Sequence, residues 1–190
     1  MKSVLISIQP KWCELIASGK KTVEVRKTKP KLETPFKVYI YCTDKKPSDN
    51  EWQYKPNLYL DKVENKVRWI DVEFTRTYNC EYLQQRIIGE FVCDEIFPIR
   101  VFENGTIQDY NGHAMERSCV PYDDISEYIG NNKTGYGWHI SDLVIYDEPK
   151  PINAFVSVST LNTNCLGQHL KRLDRPPQSW RYVEESEVKE

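Results

Sequence analysis

The stretch Ser18-Gly-Lys-Lys-Thr-Val-Glu-Val-Arg-Lys27 decides how the rest of the chain is interpreted. Gly19 is suited to the positive φ that ends a preceding helix. From Thr22 to Val25 polar and apolar residues alternate, as they do in a half-buried strand. The stretch therefore predicts the end of a helix followed directly by a strand.

Side chains two residues apart on a strand project to the same side. Val23 and Val25 are therefore predicted to face the core, and Thr22, Glu24 and Arg26 to share the opposite face. On that face the simplest interpretation is a solvated ion pair between Glu24 and Arg26, worth about 0–1 kcal/mol.

The same stretch also carries the chemistry of a ligand site. Together with Glu24 and Arg26, the lysines Lys20 and Lys21 supply groups that grip an anionic or amide-bearing ligand. An amine that is desolvated near other cations can lose its proton and act as a base or nucleophile. Binding, catalysis and a solvated surface all remain open at this point.

Composition and charge place the chain among ordinary globular proteins. It has 190 residues, of which 39% are hydrophobic and 28% charged, which favours one domain with a substantial core. The net charge is −2, yet Met1 to Lys46 holds eleven Lys and Arg against four Asp and Glu. This basic end suits an anionic partner.

Several classes of protein are excluded by pattern. No apolar run is long enough to span a membrane, and the start lacks the pattern of a signal peptide, so a cytoplasmic location is expected. The six cysteines are far apart and form no C-x-x-C pair. No metal site and no cofactor are predicted.

The first half of the chain predicts a strand, a short helix and further strands around the opening stretch. Apolar alternation predicts a strand ending at Gln9, and the helix from Pro10 carries Trp12, which either packs on the sheet or stacks on a ligand. Residues 36–43 predict a half-buried strand with Tyr39 and Tyr41 on its outer surface. Residues 44–74 read as an inserted hairpin, with strands at 57–60 and 67–74.

The second half predicts a bent strand, a loop and a helix. Ile87 to Val101 is the longest strand signal, in which Gly89 indicates a bulge or a close backbone approach and Pro98 an edge. Residues 103–118, including His113, are predicted to be a polar loop, and Pro121 to Gly130 a brief helix with acids in its first turn.

Residues 135–146 predict a last strand or strand pair. Tyr136 and Trp138 share one face, and His139 lies on the other, where it is a structural residue or a ligand contact. The aromatic end of the chain predicts one further short strand. The fold class is thus α+β, a small mixed or antiparallel β-barrel with two or so short flanking helices.

Three segments in this order resemble the ASCH domain of the PUA-like superfamily. They are Gly19-Lys-Lys-Thr-x-Glu-x-Arg26, Gly89-Glu90, and Tyr136-Gly-Trp-His-Ile140. The resemblance spans about residues 1–155, with 156–190 as an extension packed on the barrel, similar to that of longer phage and bacterial members. It implies RNA or nucleotide binding in a basic cleft between the first helix and the Gly19–Arg26 strand.

Some small members of the ASCH family resemble hydrolases that deacylate N4-acylated cytidine with a lysine, a threonine and a glutamate. The lysine corresponds to Lys21, but Glu24 stands where the threonine is expected. No residue between Phe102 and Tyr122 matches the glutamate of those hydrolases.

Three functions follow, in order of preference. The first is binding of RNA or a modified nucleotide, with Lys20, Lys21, Thr22, Glu24, Arg26 and His139 as contacts and Trp12 or Trp138 stacking on a base. The second is an amidohydrolase that uses Lys21 and Glu24, or a ribonuclease. The third is a phage or mobile-element factor that contacts a protein partner through residues 44–74.

Overall fold

The computed structural model describes residues 2–44, 57–70, 80–109, 114–158 and 171–185. Within these ranges the chain is a mixed α+β protein, built mostly of sheet with three helices. The strands are β1 (Ser3–Ile8), β2 (Val23–Arg26), β3 (Phe36–Cys42), β4 (Asn57–Asp61), β5 (Lys66–Ile70), β6 (Cys80–Tyr82), β7 (Arg86–Cys93), β8 (Ile96–Val101), β9 (Ile107–Asp109), β10 (Lys133–His139), β11 (Ser141–Lys150), β12 (Phe155–Ser157), β13 (Lys171–Arg172) and β14 (Trp180–Glu185). The helices are α1 (Pro10–Ala17), α2 (Ala114–Ser118) and α3 (Tyr122–Ile129), and a 3-10 turn covers Ile152–Ala154.

The described strands form three separate sheets. Their orders are β11-β7-β3-β1-β14-β12-β13, β2-β10-β8-β9 and β5-β4-β6. The predicted closure into a barrel is not confirmed, because the hydrogen bonds join the strands into three sheets rather than one closed ring.

The chain divides into two compact units. The first unit comprises residues 1–14, 38–90 and 144–190, and the second comprises 15–37 and 91–143. The predicted division at residue 155 stays a prediction.

In the first unit, β1 is an inner strand whose side chains are all buried. It pairs in parallel with β3, Val4 facing Val38, and antiparallel with β14, Val4 facing Tyr182. A continuous buried run such as this is typical of a strand covered on both faces.

The predicted outer position of Tyr39 and Tyr41 is wrong. Both rings are buried, and Tyr39 packs edge to face on Phe155 with ring centroids 4.6 Å apart. They belong to an apolar cluster with Leu5 and Val183. The strand has a second covered face because residues far along the chain pack on it, which local alternation does not reveal.

The predicted hairpin is present as β4 and β5, and the close approach predicted at Gly89 is confirmed. A Cβ atom there would lie 2.3 Å from the carbonyl oxygen of Val144. The part of the predicted hairpin beyond Ile70 and most of the loop before it lie outside the described residues.

The strand signal of residues 87–101 is divided between β7 and β8, which belong to different sheets, and β8 lies in the second unit. Strand β10 pairs antiparallel with β2 and with β8. The predicted polar loop at 103–118 is wrong in part, since it contains β9 and α2, and His113 lies outside the described residues. Helix α2 also raises the number of helices from two to three.

The core of this unit lies between its sheet and the two short helices. Val23, Val25, Phe97 and Ile99 pack with Ile125 and others of α2 and α3 in one buried cluster. The predicted inward direction of both valines is therefore confirmed, and the opposite face of β2 is left to its charged residues.

Candidate functional site

The turn after α1 sets the position of the first charged side chain. Gly19 has a φ of +73°, and its amide donates to the carbonyl of Ile16 at 2.9 Å. The amide of Lys21 then donates to the carbonyl of Leu15 at 3.0 Å. A residue without a Cβ is favoured at this φ, so the glycine allows the chain to turn directly from helix to strand.

Lys21 is buried, and its ammonium group is surrounded by acceptors. Nζ donates to the carbonyl oxygens of Val23 at 2.9 Å and Ser118 at 2.7 Å, and lies 3.3 Å from Oε2 of Glu24. The two contacts with carbonyl oxygens are hydrogen bonds, and the contact with Glu24 is an ion pair without hydrogen-bond geometry. These contacts fix the Lys21 side chain inside the protein.

Glu24 joins this lysine to Arg26. Its Oε1 lies 3.0 Å from Nη2 of Arg26. The side chains of Lys21, Glu24 and Arg26 are only 1%, 7% and 10% exposed. The solvated ion pair that the sequence left open is therefore wrong, and we call these three residues the buried charge network.

The buried charge network holds two cations and one anion. Charges removed from water are costly unless they are paired and hydrogen-bonded. The two carbonyl oxygens on Lys21 supply part of the compensation. Of the two cations, Arg26 is the more exposed.

The polar face of β2 continues across β10. Trp138 lies opposite Glu24, and Tyr136 lies opposite Arg26. The Trp138 ring is fully buried and packs edge to face on Phe36, with ring centroids 6.1 Å apart. It therefore offers no surface for the base stacking that the sequence analysis assigned to it, whereas Tyr136 is only partly buried.

Two other predicted contacts flank the network. The amide of Thr22 donates to the carbonyl of Arg117 at 2.8 Å, and its Oγ1 accepts from Nε of Arg117 at 3.3 Å. Lys20 is exposed, and its carbonyl oxygen lies 3.4 Å from the thiol of Cys119. Thr22 is thus fixed by the end of α2, while the ammonium group of Lys20 extends from the surface.

His139 lies on the other face of β10 from Trp138, opposite Val23. Its Nδ1 lies 2.6 Å from Oδ1 of Asp94. Partial burial raises the pKa of Asp94, but hydrogen bonds with His139, with its own backbone and with Ser141, together with the charge interaction with His139, outweigh burial and lower the pKa below its ordinary value of 3.8. The histidine therefore forms a separate pair and does not join the buried charge network.

Trp12 lies on α1 in the part assigned to the first unit. Its ring is partly buried, and Nζ of Lys11 lies 4.3 Å from the ring centroid. Its place among the ligand contacts stays a prediction.

Sequence reasoning missed Ser118 and Tyr136. Ser118 contributes a backbone carbonyl from a five-residue helix, and no pattern of side chains predicts such a contact. Tyr136 could have been found, because it shares a strand face with Trp138. Within the described ranges, no group of three His, Cys, Asp or Glu residues could hold a metal ion.

A model of the ASCH domain family matches residues 6–147. The chain belongs to the ASCH domain family. The Gly19–Arg26 stretch and the Tyr136–Ile140 strand, on which the resemblance rested, both lie within the matched region.

A solved structure of an ASCH protein shares this fold. The crystal structure of ASCH from Zymomonas mobilis is 16% identical, with a TM-score of 0.51 over 96% of this chain and 87% of that one. A tyrosine-to-phenylalanine mutant of the Zymomonas mobilis protein is 16% identical, with a TM-score of 0.49 over 97% of this chain and 91% of that one. No curated protein matches the chain. Among its described residues, no helix of this ASCH protein is long and apolar enough to cross a membrane.

Proposed function

We propose that this ASCH domain binds RNA or a nucleotide, and that Arg26 contacts a phosphate. The observation that carries the proposal is the Arg26 guanidinium, which Glu24 holds at 3.0 Å and which the exposed Lys27 and Lys29 follow along the chain. A phosphate would interact with these cations in partly buried surroundings, where Coulomb interactions are stronger than in water. Arg26 suits the role because a guanidinium presents a planar fork of donors that matches phosphate oxygens.

Lys21 supports the site in this proposal rather than touching the ligand. Its side chain is almost completely buried, and it contacts three acceptors within the protein. Glu24 holds Arg26 in a fixed orientation through its second oxygen. A fixed guanidinium loses less conformational entropy when a phosphate binds.

The chain that follows Arg26 adds exposed positive charge. Lys27 and Lys29 are exposed, and the ammonium group of Lys29 lies 5.4 Å from the ring centroid of Tyr136. Basic side chains interleaved with aromatic rings are the combination that single-stranded nucleic acids bind. Such a surface also raises the rate at which an anionic polymer is captured.

The experiment is a fluorescence anisotropy titration with a labelled single-stranded RNA of mixed sequence at several salt concentrations. The logarithm of the affinity should fall with the logarithm of the salt concentration, by about 0.7 for each phosphate contacted. Arg26→Gln and Lys29→Gln should each weaken binding and make that slope shallower. Lys66→Gln, which removes an exposed lysine from the β4–β5 hairpin, is the control and should change neither.

Binding that does not respond to salt would contradict the proposal, as would variants of Arg26 and Lys29 that bind like the control. Circular dichroism of each variant shows whether it is folded. Lys29 is exposed, so its variant tests the electrostatic part without disturbing the buried charge network.

The hydrolase hypothesis receives less support from the same geometry. A catalytic lysine must reach its substrate, whereas the side chain of Lys21 is 1% exposed and its Nζ donates to two backbone carbonyls. We expect no deacylation when the protein is incubated with N4-acetylcytidine and followed by mass spectrometry. Deacylation that disappears in Lys21→Met would establish the hydrolase instead.

A further inference from the structure

The sheet β2-β10-β8-β9 has two chemically different faces. One face packs on α2 and α3 through the apolar cluster described above. Along β8 burial alternates, with Phe97, Ile99 and Val101 buried and Pro98 and Arg100 exposed. The exposed positions therefore belong to the face that is not covered by the two helices. This face is buried at Glu24, Arg26 and Trp138 and exposed at Pro98 and Arg100, and we call it the open face.

Strand register shows which residues share the open face. Tyr136 lies between Arg26 on β2 and Pro98 on β8. The next positions along the sheet are Thr134 opposite Arg100, and Arg100 opposite Gln108. Directly opposed side chains in an antiparallel pair have Cβ atoms about 4.5–5.5 Å apart, and diagonal neighbours are about 7–8 Å apart. Tyr136 is thus an aromatic ring with Arg26 beside it and Arg100 diagonal to it.

We propose that Tyr136 is the platform on which a base of single-stranded RNA stacks, with Arg26, Lys29 and Arg100 contacting the adjoining phosphates. The proposal rests on the proposed function and assigns its aromatic contact to Tyr136 instead of Trp138. Trp138 is fully buried, whereas Tyr136 lies where the same strand face opens to solvent.

The charges around Tyr136 suit this ligand. At the described positions of this face, Glu24 is the acidic side chain, and it is already bridged by Lys21 and Arg26. The acids in the first turn of α3 belong to a helix that packs on the opposite face. The ammonium of Lys29 lies 5.4 Å from the Tyr136 ring centroid, close enough for a phosphate to reach the cation while a base contacts the ring.

Single-stranded RNA is favoured over a duplex because only an unpaired base presents its flat surface to a ring. Stacking of a base on an aromatic side chain tolerates any sequence, since every base has such a surface. The proposal therefore predicts binding with little dependence on base identity but a clear dependence on the presence of a base.

The chain contains a matched control for Tyr136. Tyr128 on α3 also has a lysine over its ring, with Nζ of Lys27 at 5.0 Å, and Tyr128 is 38% exposed. Lys27 follows Arg26 directly, so the two lysine–tyrosine pairs are close in sequence. Tyr128, however, belongs to the helix on the covered face, and it should not contact RNA that lies on the open face.

The experiment compares two RNA probes, one single-stranded oligonucleotide of mixed sequence and the same oligonucleotide with its bases removed at several positions. Tyr136→Leu should bind the intact RNA about 5- to 150-fold more weakly, the range given by alanine substitution of stacking residues. Tyr136→Phe should bind like the natural protein, and so should Tyr128→Leu. The salt dependence should be the same for all four proteins, because stacking neutralises no phosphate.

The RNA lacking bases separates stacking from a structural effect. It should bind the natural protein more weakly than intact RNA does, and this difference should vanish in Tyr136→Leu. A merely structural role for Tyr136 would lower the affinity for both probes equally.

The two proposals fail differently. If the natural protein does not bind intact RNA, the proposed function fails and this inference with it. If RNA binds but Tyr136→Leu binds equally well, or Tyr128→Leu loses as much, only the inference is overturned. Should Tyr136→Leu not fold, equal binding of the two RNA probes by the natural protein overturns the inference on its own.

Discussion

Replacing Glu24 with glutamine tests whether the buried charge network contributes to stability as a buried ion pair does or as little as an exposed one. The substitution keeps the size of the side chain and removes its charge, so two cations are left without their shared anion. Glu24 contacts Nζ of Lys21 at 3.3 Å and Nη2 of Arg26 at 3.0 Å, with 7% of its side chain exposed.

The expected loss follows from that burial. Removing one partner of a buried ion pair costs about 3–5 kcal/mol, because the remaining charge is uncompensated. For a chain of this size each kcal/mol lowers the melting temperature by about 2–4 °C. Glu24→Gln should therefore melt about 6–20 °C below the natural protein. The loss of about 3–5 kcal/mol is a large part of a typical free energy of unfolding of about 5–15 kcal/mol.

The chain provides a matched surface control. Glu64 also contacts a lysine and an arginine, Lys66 and Arg68, but its side chain is 49% exposed. Exposed pairs contribute about 0–1 kcal/mol, so Glu64→Gln should change the free energy of unfolding by no more than that. Urea denaturation of both variants gives the two free energies. If both variants lose equally little free energy of unfolding, the network behaves as a solvated ion pair and the prediction is wrong.

Three further predictions concern other parts of the protein. Gly89→Ala should lose about 1–3 kcal/mol in urea denaturation, because its new Cβ would lie 2.3 Å from a carbonyl oxygen of the neighbouring strand. Cys93 should resist iodoacetamide at mildly alkaline pH while the partly exposed Cys119 reacts, as peptide mass spectrometry would show, because burial raises the pKa of Cys93 to about 12. Because its pKa is lowered in the folded protein, ionised Asp94 stabilises the fold at pH values above 3.8. This stabilisation is lost as the pH falls through the lowered pKa. Melting temperatures of Asp94→Asn should therefore fall less on acidification than those of the natural protein, and an equal fall would contradict the assignment.

Local pattern was sufficient for the elements that are decided by their own residues. Gly19, the alternation from Thr22 to Val25 and the acids after Pro121 each act within a few residues, and the predicted helix end, strand and second helix are present. The family resemblance was carried by the same local segments.

Pattern failed where distant residues decide the outcome. Tyr39 and Tyr41 alternate with apolar residues like an outer face, yet a distant segment covers them. Helix α2 is five residues long, too short for a hydrophobic period, and its contribution to the site is one backbone carbonyl. The burial of Glu24 and Arg26 likewise depends on tertiary packing, and the spacing of residues along β2 does not predict it.

The position of β1 between β3 and β14 has a consequence during synthesis on the ribosome. β3 follows soon after β1, but Tyr182, the residue that faces Val4 across the other edge, is far along the chain. At about 5–20 residues per second, about 10–35 s pass before that partner is made. Throughout this interval the edge of β1 that pairs with β14 has unpaired amides and carbonyls, and such an edge promotes aggregation. Nascent chains of this protein should therefore depend on chaperones until β14 has emerged.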